Sequence, residues 1–163
     1  MAILGVDHRG GALGAAPEAL ERAIRARAPG AGPSVVLLHG YKYDPADPRR
    51  SPHRLLYSES VPTPRTLRRG RIRSWPEGLG VSGASPMGLC LGYGWTARTS
   101  WLARLAEGRN GFAAVYDEAG RAGASLVAAL DAVAAARPAP VDVLAHSLGA
   151  RVALSALRAA AEA

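Results

Sequence analysis

Four short apolar runs are spread along the chain, at residues 2–6, 34–38, 88–95 and 141–145. Each run is too short for a core helix and is bounded by turn-forming residues, so each predicts a β-strand. Continuous apolar runs, unlike alternating ones, are typical of strands that other elements cover on both faces. The pattern therefore predicts four buried strands of a mainly parallel sheet.

Helical patterns lie between these strands. The first begins at Pro17, places Leu20 and Ile24 on one face, and ends at residues 29–30, Pro-Gly. A longer one has apolar side chains at spacings of three and four, at Phe112, Val115, Tyr116, Ala119, Leu126, Val127, Leu130 and Val133. A third follows the last strand. Alternating strands and helices predict an α/β fold: a three-layer sandwich with helices on both faces of the sheet.

The length of 163 residues suits a single domain, which we expect to span residues 1–163. Within it, residues 42–86 contain seven prolines that interrupt every periodic pattern. Short helices at 52–58 and 75–79 are the elements we expect there. An irregular segment of this length is usually functional, so it predicts a lid or substrate wall above the strand ends. His53 in this segment is expected to lie on the surface without a partner.

A serine stands where the last strand passes into the last helix, in the segment Ala145-His146-Ser147-Leu148-Gly149. A strand, a tight turn centred on Ser and a helix form the context in which a G-x-S-x-G motif places a nucleophile. The residues two before and two after the serine must be small, and Ala145 and Gly149 are. The alternative hypothesis is structural, because serine is also a preferred helix N-cap. A second loop, His39-Gly40-Tyr41, directly follows the strand at 34–38.

Composition and charge narrow the function classes. Cys90 is the single cysteine, which excludes an internal disulfide, and its apolar neighbours indicate packing. The N-terminus lacks a secretory pattern and no segment predicts a membrane span, so we expect a cytoplasmic protein.

The net charge is +7, with arginines crowded at Arg65, Arg68, Arg69, Arg71 and Arg73. Few aromatic residues accompany them, which favours a solvated loop over a nucleic-acid site. We expect no metal and no cofactor.

The segments VVLLHGYKYDP, GYGWTARTS and VDVLAHSLGARVAL, with the helix containing Tyr116-Asp117, carry a family resemblance. Over most of its length the chain resembles the α/β-hydrolase superfamily, and more closely a group of bacterial proteins of that fold without assigned substrates. The resemblance implies that Ser147 is the nucleophile and that the main-chain amides of Tyr41 and Leu148 form the oxyanion hole. It implies supporting positions at His39, Gly40, His146, Gly149 and Trp95, where His39 orders its loop. The implied substrate is a small molecule with an ester, thioester or related acyl bond.

The chain departs from the family after the serine. The family's order is Ser, then Asp or Glu, then His, but the last 16 residues contain only Glu162 among these types. The resemblance thus implies the N-terminal part of a hydrolase, truncated after the helix that follows Ser147. The strand at 141–145 would then be an exposed sheet edge, and we expect either a homodimer through it or marginal solubility. Two function classes remain open: a serine hydrolase, or an inactive fragment or binding module whose basic loop recruits an anionic partner.

Overall fold

The computed structural model describes residues 2–59, 74–80, 88–99 and 111–163. Within these ranges five strands form one mixed sheet in the order β2-β1-β4-β3-β5. The strands are β1 (Ala2–Arg9), β2 (Ala12–Leu13), β3 (Ser34–Leu38), β4 (Leu89–Gly94) and β5 (Val141–Ala145). The helices are α1 (Pro17–Arg27), α2 (Pro52–Leu55), α3 (Trp75–Gly78), α4 (Gly111–Ala136) and α5 (Leu148–Ala161). All strand pairs are parallel except β1 with β2. The α/β class and the mainly parallel sheet are therefore confirmed.

The two faces of the sheet are covered unequally. The connections β1–α1–β3 and β4–α4–β5 step along the sheet in the same direction, and right-handed crossovers then place both helices on one face. Together with α5 they enclose the larger core, which includes Leu4, Val36 and Leu126. The return from β3 to β4 runs in the opposite direction and covers the other face. In the described residues that second layer has the four-residue helices α2 and α3.

The apolar helix α4 is the longest element, and its packing explains its composition. It spans 26 residues and is long and apolar enough to cross a membrane by length and composition, which the sequence pattern did not predict. Its inner side is nevertheless part of the main core, with Val115, Leu126 and Val133 buried. Gly123 faces Ser155 so closely that a Cβ there would lie 2.5 Å from the Ser155 Cβ. Such close helix packing is the behaviour of a core helix in a globular domain.

A buried arginine joins the amino-terminal end of the sheet to the helices. Arg137 follows α4 and is 1% exposed. Its guanidinium donates to the Ser34 hydroxyl at 2.8 Å and to the carbonyl oxygens of Ala28 and Gly32. A buried charge needs such hydrogen bonds to offset its desolvation. The contact fixes the ends of α1 and α4 to the start of β3, away from the strand ends that carry the site.

The two sheet edges differ. At one edge the short β2 pairs with β1 through a turn at Gly10 and Gly11, both with positive φ, which the sequence pattern did not predict as a hairpin. At the other edge β5 pairs with β3 alone within the described ranges, in parallel and with Val36 opposite Val143. Val143 and Leu144 are 42% and 41% exposed there. The expected apolar edge is thus present in this part of the chain, whereas the homodimer through it stays a prediction.

Other predicted elements lie close to the observed ones. The predicted helix at Pro17 is α1, and the two short helices near Pro52 and Trp75 are α2 and α3. The first strand extends further than predicted, to Arg9, because it continues beside β4 as far as the pair Asp7–Gly94. The arginine-rich segment at 65–73 lies outside the described residues, as do parts of the predicted lid.

Candidate functional site

Ser147 sits in a strained turn between β5 and α5. Its backbone angles are φ 54° and ψ −123°, outside the regions that a non-glycine residue ordinarily occupies. Such a conformation costs on the order of 1–3 kcal/mol and persists only where its surroundings enforce it. Ser147 is exposed, and although it occupies the N-cap position of α5 its side chain makes no capping hydrogen bond. The structural alternative of a helix cap therefore lacks the bond that defines it.

Two glycines enforce this turn by letting backbones approach. A Cβ on Gly149 would lie 2.5 Å from the Leu38 carbonyl oxygen, so only glycine lets α5 begin against the end of β3. A Cβ on Gly40 would lie 2.8 Å from the Ser147 Cβ. The His146 amide donates to the Leu38 carbonyl at 2.9 Å and fixes the two strand ends together. The loop after β3 and the turn after β5 therefore meet, although they are about a hundred residues apart in the sequence.

His39 orders the loop that touches Ser147. It is fully buried and stacks on the Trp95 indole at 5.5 Å between ring centroids. Its Nε2 accepts from the Trp95 amide at 3.1 Å, so its Nδ1 must carry the proton and donate to the Gly40 carbonyl at 2.9 Å. Burial lowers its pKa to about 4, against hydrogen bonds that raise it. A neutral ring with both nitrogens engaged can position Gly40 but has no free nitrogen for proton transfer.

The Tyr41 and Leu148 amides lie on the two segments that meet at Ser147, and the family resemblance implies them as oxyanion donors. Leu148 opens α5, where the first amides have no acceptor within the helix and the helix dipole favours negative charge. Among the described residues, neither amide donates to a backbone carbonyl in a turn, loop or cap. The next residue, Lys42, has φ 81°, and its amide donates to the Ala97 carbonyl at 2.8 Å. Lys42 and Ser147 are the two non-glycine residues with positive φ in the described ranges, and both flank this site.

The site lies at the carboxyl ends of two neighbouring parallel strands, β3 and β5. The chain leaves β3 towards one face of the sheet and leaves β5 towards the other, which is the kind of position where parallel sheets bind ligands. Exposed aromatic rings are grouped beside the loop after β3: the ring centroids of Tyr41 and Phe112 lie 6.2 Å apart, and those of Phe112 and Tyr116 lie 6.3 Å apart. Arg151 stands 3.5 Å from the Tyr116 ring centroid and donates to that residue's carbonyl. Phe112 and Tyr116 belong to the apolar repeat of α4, and both are exposed.

Histidines elsewhere have acid partners that the sequence did not reveal. His53 was expected to be a surface residue without a partner, and this is wrong: it is half-buried and its Nε2 lies 2.6 Å from Asp7 Oδ1. Burial raises the pKa of Asp7, but the hydrogen bond and charge of His53 outweigh it and lower the pKa overall. His53 Nε2 lies against Gly94 at the end of β4, and two strand spacings, about 10 Å, separate β4 from β5. This pair is therefore too far away to activate Ser147.

A second network of polar contacts, formed by His8, Tyr93 and Glu118, surrounds Ser125 in the core. His8 Nδ1 lies 2.7 Å from the Ser125 Oγ, and its Nε2 lies 3.2 Å from Glu118 Oε1. The Tyr93 hydroxyl lies 2.6 Å from the same Oγ. His8 and Ser125 are both buried, so no substrate reaches them. The network holds α4 against β1 and β4, and its members are too distant in the sequence for any spacing rule to find.

His146 is the histidine beside Ser147 in the chain, and its ring points to the second face. It lies 6.2 Å from the Trp75 ring and close to Gly40. Within the described ranges it has no carboxylate partner. No group of three or more metal-ligating side chains that could hold an ion lies in this part of the chain. Cys90 is buried, which raises its pKa to about 12 and leaves its thiol unreactive. The described site thus has a serine and two amides, without an acid–base pair.

Comparison with protein-family models, with curated proteins and with solved structures gives no match to this chain.

Proposed function

We propose that Ser147 is the nucleophile of an acyl-transfer site of the α/β-hydrolase type, with the amides of Tyr41 and Leu148 as its oxyanion hole. The observation that carries this proposal is the turn at Ser147, whose strained backbone presents an exposed, uncapped hydroxyl at a strand–helix junction. Backbone strain of this kind clusters at functional sites. The substrate class is a small molecule with an ester, thioester or related acyl bond.

The missing acid–base pair determines the expected activity. A serine hydroxyl is a weak nucleophile without a base. None of His8, His39 and His53 is placed to supply one: His8 and His39 are buried and engaged, and His53 faces Asp7. Enzymes that have lost a triad member still accelerate acyl transfer by roughly 10³–10⁴ over water, through the oxyanion hole and substrate binding together. We therefore expect selective covalent modification of Ser147 but little turnover of an ester such as p-nitrophenyl acetate.

Covalent labelling tests this proposal. The chain is treated with an uncharged fluorophosphonate at pH 8.5, and modified peptides are followed over time by mass spectrometry. We expect Ser147 to react at least tenfold faster than other serines, and Ser147→Ala to remove that product. Ser155→Ala, on the same helix, is the matched control and should label at the wild-type rate. Equal, slow reaction of all exposed serines would contradict the proposal.

An inactive binding module is the second candidate function, with the arginine-rich segment at 65–73 recruiting an anionic partner. It predicts no selective labelling of Ser147 together with salt-sensitive anion binding.

The cytoplasmic location stays a prediction, and the packing of α4 into the core is compatible with it.

A further inference from the structure

A pocket of about 480 Å³ opens beside the loop that touches Ser147. It is lined by Lys42, Arg49, Arg50 and Arg98, with Asp47 and Leu55. The lining thus has four cationic side chains against one carboxylate. Like charges that share a concave surface repel one another and focus a positive potential in it. An anionic group in the pocket relieves this repulsion, so the pocket favours a negatively charged ligand.

Hydrogen bonds fix the walls of this pocket. The Lys42 amide donates to the Ala97 carbonyl at 2.8 Å, and the Ala97 amide donates to the Tyr43 carbonyl at 2.9 Å. These two bonds tie the segment after β3 to the segment after β4. A second set closes the loop that follows: the Asp47 amide donates to the Asp44 carbonyl, and the Asp44 amide donates to the Arg50 carbonyl. The cationic side chains are therefore attached to an ordered frame.

Two of the four cations are available to a ligand. Asp47 binds Arg98 at 2.8 Å and lies 3.8 Å from Arg50, which fixes those two guanidinium groups. In the described part of the chain, Lys42 and Arg49 have no carboxylate partner. Lys42 also has the strained φ of 81°, a conformation that lysine adopts only under constraint. The strain therefore falls on the residue that joins the oxyanion loop to the pocket.

The chain links the pocket to Ser147 through one short loop. Gly40 packs against Ser147, and Lys42 follows Gly40 two residues later, so the Cα atoms of Gly40 and Lys42 are at most ~7.6 Å apart. Tyr41 lies between them in the chain, with its ring centroid 6.2 Å from that of Phe112. We propose that this pocket binds a carboxylate or phosphate group of the substrate acylated at Ser147, so that the enzyme acts on anionic acyl compounds. This inference rests on the proposed role of Ser147.

Anion binding is measured by isothermal titration calorimetry at low ionic strength, with glutarate and inorganic phosphate as separate probes. We expect saturable 1:1 binding of at least one probe, and the tighter probe identifies the anionic group. The double variant Lys42→Gln/Arg49→Gln should weaken that binding at least tenfold. Arg22→Gln/Arg158→Gln removes the same charge from exposed positions elsewhere and should change it less than twofold. Absence of saturable binding, or equal weakening in both double variants, would overturn the proposal.

The same samples separate this inference from the role of Ser147. The Ser147→Ala variant should bind the anion with the wild-type dissociation constant, because its hydroxyl is not part of the pocket. Saturable binding without selective fluorophosphonate labelling of the wild type would reject Ser147 and the assignment of the anion as a substrate group. Selective labelling without saturable anion binding would reject the pocket alone.

Discussion

Each of two serines in this chain has part of what a serine nucleophile needs: Ser125 has acid–base partners, and Ser147 has an exposed position. Ser125 has a histidine at 2.7 Å and, behind it, a glutamate at 3.2 Å from that histidine, but it is buried in a helix. Ser147 is exposed on a strained turn close to the Tyr41 and Leu148 amides, which donate to no backbone carbonyl in a turn, loop or cap of the described residues. No histidine–carboxylate pair of those residues contacts it. Ser125 also faces Nδ1 of its histidine, whereas the hydroxyl of a Ser-His-Asp triad faces Nε2. Partners without access stabilise a core, whereas access without a base leaves a serine hydroxyl a weak nucleophile.

The largest expected effect of a substitution is at the histidine of the buried pair. His8→Ala removes the ring that joins Ser125 to Glu118 and leaves a cavity between β1 and α4. We expect the free energy of unfolding to fall by about 3 kcal/mol, measured by urea denaturation. The labelling rate of Ser147 in the folded variant should stay at the wild-type value. A variant as stable as the wild type would show that the pairing does not support the core.

His8 hydrogen-bonds Ser125 directly, whereas His39 orders the loop that touches Ser147. The protonation of His39 can be tested by measuring stability against pH. Its pKa is about 4 in the folded chain against an ordinary value of 6.5 in the unfolded chain. As the pH falls below 6.5 the unfolded state binds the proton first, so stability is full above pH 6.5 and declines until about pH 4. Between pH 7 and 5 we expect a loss of about 2 kcal/mol from this group.

The matched variant for this pH test is His39→Asn, which cannot titrate. Unfolding free energies of the two proteins are compared from pH 7 to 5. The difference between them should shrink by about the same 2 kcal/mol as the pH falls. Parallel pH profiles would show that His39 is not held neutral by the loop.

The contact between the two loops is tested by adding one methyl group. Gly40→Ala places a Cβ 2.8 Å from the Ser147 Cβ and must displace the loop after β3. We expect fluorophosphonate labelling of Ser147 to slow about tenfold, which corresponds to ~1.4 kcal/mol. Gly78→Ala is the control, because a Cβ there meets nothing within 4 Å. Equal labelling of both variants would mean that the loop does not contribute to the reaction.

The smallest expected change in stability, at Ser147, gives the sharpest test of the comparison. The same substitution by glycine should change the free energy of unfolding in opposite directions at the two serines. Ser147→Gly relieves the positive φ and should stabilise the fold by about 1 kcal/mol. Ser125→Gly introduces glycine into α4 and removes hydrogen bonds, so it should destabilise the fold by about 2 kcal/mol. Both values come from thermal or urea unfolding. Destabilisation by Ser147→Gly would argue against strain at the turn.

The sequence by itself determined most of the elements and the turn at Ser147, but not the hairpin between β1 and β2. Strand and helix patterns depend on neighbours two to four residues apart, which is why β3 and β5 lie at the predicted positions and α1 begins at the predicted Pro17, although α1 already ends at Arg27. The serine turn is also local, since Ser147 and Gly149 are part of one contiguous segment. The α/β class followed from the order of these local patterns along the chain.

Only the tertiary structure decided which distant residues meet. The strand order places β4 between β1 and β3, and no local pattern encodes that order. It brings His8 to Ser125 across 117 positions and His53 to Asp7 across 46. It also brings Lys42 and Arg98 to one pocket. Contacts of this kind arise because the whole apolar core is buried together, so they become visible only when all the strands are in place.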